Sequence, residues 1–255
     1  MNTELILHTV LGLLLLLIPA GALYLLECNG AQSERKMLKS FGFAIVRMTV
    51  QLLVLCLMVW VLILFDRVWL SLLWLLLMSV YSAWIVVRKC KLKSLIPVAA
   101  GLFLGVLLVG LWLLGPVFPI RAFTAQWFVP VMALLLGHST AMMIRGLSTY
   151  VSALKADKEQ YEFLRGNGQS HLKALMPFLR RALMAVISPT IANLSVLGLF
   201  SMPLLLGGIF LGGISPINAF FIMLQMIIGC VSTSILSLGI TIFLYDRYSP
   251  KAVLL

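Results

Sequence analysis

The sequence predicts an all-α, polytopic integral membrane protein with about seven transmembrane helices, its N-terminus outside and its C-terminus cytoplasmic. Three observations carry this. Hydrophobic residues make up 62% of the 255 positions and charged residues only 11%, where a soluble domain is about a quarter charged. Mean hydropathy is +1.10, and the apolar residues are gathered into runs long enough to cross a bilayer as helices. Strict alternation of apolar and polar residues, the mark of a membrane barrel, is absent, and lipid leaves helices as the way to satisfy the backbone.

The spans read, in order, 5–26, 42–65, 68–87, 95–114, 126–146, 183–206 and 217–244. The first lacks a basic n-region and is too long for a secretory h-region, so a retained span is expected rather than a signal peptide. Asp66-Arg67 forms a tight turn, and Gly and Pro make a reversal at 207–216. Segments 27–41, 88–94, 147–182 and the tail hold fifteen of the nineteen Lys and Arg residues, whereas the opposite connections hold Arg67 and Arg121. The positive-inside rule therefore sets the orientation, and these basic loops account for the net charge of +11 without nucleic acid. The whole chain, 1–255, reads as a single transmembrane domain with a cytoplasmic segment at 147–182.

Several function classes drop out. No Asp or Glu lies in an expected span, which argues against a carrier that couples to protons through buried carboxylates. The titratable residues within spans are His8, His138 and Arg47, with Arg145 at a cytoplasmic end. HExxH, GxSxG and Walker lysine motifs are all missing, so neither catalysis nor ATP hydrolysis is expected of this chain. Cys28, Cys56, Cys90 and Cys230 have no CxxC spacing and read as scattered structural thiols.

One stretch breaks the apolar pattern. "DKEQYEFLRGNGQSHLKALMPFLRR", residues 157–181, holds eight of the twenty-seven charged residues. Its first part is helix-prone, with Tyr161, Phe163 and Leu164 placed on one side. Gly166-Asn167-Gly168 then ends that helix, since glycine reaches positive φ at little cost. Ser170 can cap a second helix starting near His171, along which Leu172, Leu175, Met176, Leu179 and Leu183 recur at helical spacing. Pro177 is expected to kink it. Periodicity alone fits a solvated hairpin as well as a docking device.

The spacing of Glu162 and Gly168 resembles the coupling loop of ABC transporter permeases. More closely, the chain resembles FetB-type iron-export permeases, relatives of the plant aluminium-tolerance STAR-type permeases. Five stretches carry this in order: "RMTVQLLVL" (47–55), "PVMALLLGHSTA" (130–141), the coupling loop at 162–183, "ISPTIANLSVLGLFSMP" (187–203) and "LGGISPINA" (211–219). Where that family has PGMMTGQ, this chain has "PLLLGGI" at 203–209. The resemblance implies a permease subunit in the cell (inner) membrane. It further implies a homodimer contacting membrane lipid, served by a separate cytoplasmic ABC-type ATPase that carries ATP and Mg. The coupling residues it implies are Glu159, Tyr161, Glu162, Phe163, Arg165, Gly166, Gly168 and His171, and the implied cargo is a metal ion, iron first.

Arg47 and Gln51 are one turn apart and share a helix face; they either line a pathway or, respectively, snorkel and bond a neighbouring helix. Pro189, Asn193 and Pro203 are expected to break the sixth span, with Asn193 open to a pathway role or to interhelical bonding. With His138 these form the candidate pathway. His138 and Met142 are soft-ligand types four apart, as are Met226 and Cys230, but two such residues do not make a site and no metal centre is assigned. Gly101 and Gly105 fit close helix packing. A membrane scaffold or receptor whose hairpin recruits a soluble partner is the rival reading, and a gradient-driven carrier the third.

Overall fold

The computed structural model describes residues 35–117, 124–196, 206–209 and 212–248, with isolated positions between 14 and 21. The described elements are helical: α1 Arg35–Phe65, α2 Val68–Cys90, α3 Ile96–Trp112 with a π turn at Leu113–Val117, α4 Ala125–Ala156, α5 Lys158–Gly166, α6 His171–Val196 and α7 Pro216–Tyr248. Among the described residues six helices are long and apolar enough to cross a membrane. The expected first span, 5–26, lies outside the described residues apart from those isolated positions. The protein is a multi-pass, all-helical membrane protein.

Helices α4 and α6 outrun the expected spans. The one continues to Ala156 and the other begins at His171, so the polar connection expected over 147–182 narrows to the stretch around α5. The apolar window marks where hydrocarbon surrounds a helix, not where the helix stops, because backbone hydrogen bonds continue to favour helix beyond the bilayer. A second correction concerns the break expected at Pro189, since α6 runs on through that residue as it does through Pro177. Each proline removes one backbone donor, and a membrane helix tolerates that loss where neighbours satisfy the freed carbonyl.

The chain falls into two compact units, residues 1–61 and 62–255. In the first, the side chains of α1 from 40 to 61 are almost all exposed. In the second, α4 is the hub and touches α2, α3, α5, α6 and α7. The tightest seam joins α3 to α7. A Cβ built on Gly101 falls 2.9 Å from the Thr241 Cα, and one on Gly105 falls 2.9 Å from the Ser237 Cα, closer than side chains can stand. The small residues expected to permit close packing thus do so within the chain.

The turn at 66–67 falls where expected, between α1 and α2, and Asp66 takes a φ of 38°. Its carboxylate Oδ1 accepts a hydrogen bond from the Ala125 N–H at 2.7 Å. At the N-cap of α4, Thr124 supplies no side-chain cap bond; a carboxylate 59 residues away does that work. At the other end of the unit, Lys91 (φ 53°) closes α2, and Tyr245 Oη accepts from the Lys93 N–H at 3.4 Å.

Candidate functional site

The polar stretch forms an elbow between α4 and α6. The Asp157 N–H bonds the Ala153 carbonyl to finish α4, and the Tyr161 N–H bonds the Asp157 carbonyl to open α5. Nine residues on, the α5 carbonyls are closed by donors from 167–169: Asn167 N–H to Phe163, Gly168 N–H to Arg165 and Gln169 N–H to Leu164. That closure requires the left-handed φ of 79° at Gly168. Helix α6 then starts at His171, and the Asp157 carboxylate accepts from the Arg181 guanidinium, bracing the elbow across its mouth.

One side of α5 faces the bundle. Tyr161 is buried, and its hydroxyl lies 2.7 Å from His171 Nδ1, with the rings edge to face at 5.9 Å. His171 Nε2 contacts the Asp246 carboxylate near the end of α7. With a neutral imidazole the donors are forced: Nε2–H donates to Asp246, which leaves Nδ1 to accept from Tyr161 Oη–H. Burial pushes the Tyr161 phenol above its usual range; the Arg165 guanidinium opposes this and the Asp246 carboxylate reinforces it. Tyr161 therefore stays a neutral donor.

The other side of α5 faces outward. Glu159, Glu162, Phe163, Arg165, Gly166 and Gly168 are exposed, and Phe163 is 68% exposed. Tyr161 and Phe163, expected on one side, stand roughly 200° apart, because each helical residue turns about 100°. The candidate coupling residues thus divide: six form an outer face, while Tyr161 and the half-buried His171 anchor it. Glu162 and Lys158 pair at 3.6 Å on the exposed surface, a contact worth little.

The candidate pathway residues fall in both units. Arg47 and Gln51 lie on exposed positions of α1 in the first unit. In the second, His138 sits on α4 with its Nε2 buried and, among the described residues, without a hydrogen-bond partner. Pro189 is half-buried and Asn193 exposed on α6; Pro203 lies outside the described residues. A cavity of about 930 Å³ opens between the first turns of α4, the residues Gly208, Ile209, Gly212 and Ile214, and α7, bounded also by Gln126, Pro130, Leu134 and Met226. Its lining is mostly apolar. Met142 is buried, and among the described residues no three His, Cys, Asp or Glu side chains converge.

Sequence reasoning missed Asp246 and Asp66. Asp246 offered a signal, being the only carboxylate after Glu162 and sitting at the end of a long apolar helix. Nothing local marked Asp66 as the cap of a helix so far along the chain.

Comparison with known proteins places the chain. A family model described as "Uncharacterised protein family (UPF0014)" matches residues 9–249, and the chain belongs to that family. It is 24% identical over 139 residues to Protein ALUMINUM SENSITIVE 3 of Arabidopsis thaliana, covering 53% of this chain and 49% of that protein. A UPF0014 membrane protein of Synechocystis is 25% identical over 131 residues, 51% of each. The UPF0014 membrane protein STAR2 of Oryza sativa is 28% identical over 128 residues, 46% of this chain and 41% of that protein. The aligned stretch thus spans about half or less of each relative. No solved structure matches the chain.

Proposed function

We propose that this UPF0014 chain is the permease subunit of an ATP-driven ABC transporter, exporting a metal ion through a homodimer served by two copies of a separate ATPase. The observation that carries the reading is the division of the elbow. Glu159, Glu162, Phe163 and Arg165 face outward, where a partner can grip them, while Tyr161 and His171 tie the same short helix to α7. A push on the outer face then reaches α7 through two contacts, as rigid-body coupling requires. Phe163 supplies the kind of exposed aromatic anchor enriched at interface hot spots.

On this reading the elbow faces the cytoplasm, in line with the basic loops at that end. ATP and Mg sit on the partner, and this chain catalyses nothing itself. Iron is the first cargo to test, on the resemblance to FetB-type permeases, and a relative named for aluminium sensitivity keeps metal ions in view.

The test is a pull-down from gently solubilised native membranes, with a Glu162→Lys/Gly168→Trp variant in parallel. An ATPase bearing Walker motifs should accompany the natural protein and be lost from the variant. If no ATPase appears, or the variant keeps it equally, the elbow is not a coupling device and a scaffold that recruits another protein becomes the better account. Cargo is tested separately, by ATP-dependent accumulation of ferrous iron inside everted vesicles, or inside reconstituted vesicles whose ATPase faces outward.

A further inference from the structure

The outward face of α6 carries charge that the elbow does not use. Lys173, Met176, Pro177, Arg180, Arg181 and Met184 line a shallow groove of about 530 Å³. Helical spacing sets Lys173, Arg180 and Met184 on one stripe. Arg181 is taken up by Asp157 and lies 6.0 Å from the Phe178 ring centre. Lys173 and Arg180 are exposed and, among the described residues, make no ion pair or side-chain hydrogen bond.

The stripe then changes character. Beyond Arg181 the same face continues as Met184, Ile191 and Leu194, which are all exposed and apolar. These follow residue 183, where the sequence expects the sixth span to begin, within the stretch Lys173–Leu194 that is apolar enough to lie in a bilayer. Cations therefore stand at the edge of the hydrocarbon and exposed apolar side chains stand directly above them. The same end of the unit also carries Arg88, Lys89, Lys91, Lys93 and Arg247 against the carboxylates of Asp157, Glu159, Glu162 and Asp246, so cations are in excess there.

We propose that this face binds an anionic phospholipid. Lys173 and Arg180 hold the headgroup phosphate, with Arg181 beside them, and an acyl chain lies along Met184, Ile191 and Leu194. Two features select a lipid over a soluble partner: the charge is complementary to phosphate, and the apolar track runs on into the span, where a soluble protein cannot follow. Basic clusters at the ends of membrane helices recognise anionic headgroups in this way. The proposal does not depend on the ATPase reading.

The experiment exposes the full-length protein, in mild detergent, to equal amounts of phosphatidylglycerol and phosphatidylcholine and counts retained lipids by native mass spectrometry. The natural protein should retain phosphatidylglycerol selectively, and raising the salt should weaken that preference. Each cation near an anionic headgroup contributes roughly fivefold, so Lys173→Gln/Arg180→Gln should lose roughly twenty- to thirtyfold. Lys173→Arg/Arg180→Lys should keep the preference, and so should Arg67→Gln at the opposite end. Equal retention by natural protein and double variant overturns the proposal. So does loss of ATPase capture with lipid preference intact, which would make this a protein-docking face. Should the double variant fail to fold, a salt-independent preference in the natural protein overturns it instead.

Discussion

The Tyr161 hydroxyl lies 2.7 Å from His171 Nδ1, and the opposite nitrogen of that ring meets Asp246, 75 residues further on. Two local helices are thereby fastened to the end of α7. Removing the phenol hydroxyl with Tyr161→Phe should cost about 1 kcal/mol, and Asp246→Ala, which takes the charged acceptor away, about 1.5–3 kcal/mol. Hydrogen exchange of the 157–170 amides should quicken in both. Since the groups form one chain of bonds, the double variant should cost less than the sum.

Gly168 and Gly166 separate conformation from packing. A Cβ at either position meets nothing within 4 Å, but only Gly168 has a positive φ, 79°. Gly168→Ala should therefore destabilise the elbow by about 1–2 kcal/mol. Gly166→Ala should be neutral or slightly stabilising, as alanine favours helix. Protease susceptibility of the elbow gives the ranking directly.

Asp66 holds the start of α4 through its bond to the Ala125 N–H. Asp66→Ala removes the acceptor while leaving the left-handed backbone, and should lower stability by about 1–2 kcal/mol. Asp66→Asn keeps an acceptor and tolerates the same φ, so its loss should be well under half of that. Thermal unfolding in detergent of the two variants checks the order.

The α3–α7 seam should respond to bulk and ignore polarity. Gly105→Ala drives a methyl to within 2.9 Å of the Ser237 Cα, forcing the helices apart at a cost of about 1–3 kcal/mol. Ser237→Ala removes a buried hydroxyl that has no hydrogen-bond partner among the described residues, and should be neutral or mildly stabilising. Thr233 differs, since its hydroxyl bonds the Gly229 carbonyl at 2.7 Å, and Thr233→Val should cost about 0.5–1.5 kcal/mol.

What the sequence determined by itself was local. Hydropathy marked the membrane helices, the turn at Asp66-Arg67 fell between two apolar runs, and Gly166-Asn167-Gly168 announced the elbow with α6 beginning at His171. These follow from properties of neighbouring residues: transfer to lipid, backbone freedom and helical period. Helix ends were read short, because hydropathy reports the surrounding solvent while the backbone bonds of α4 and α6 continue past the lipid. Only the tertiary structure decided which side of α5 is anchored, that Asp246 receives His171, that Asp66 caps α4, and that Gly101 and Gly105 fit Thr241 and Ser237. Each of those pairings joins groups far apart in the chain. Such contacts are set by how whole helices dock, so a polar residue in an apolar sequence shows that a partner is needed without showing which one.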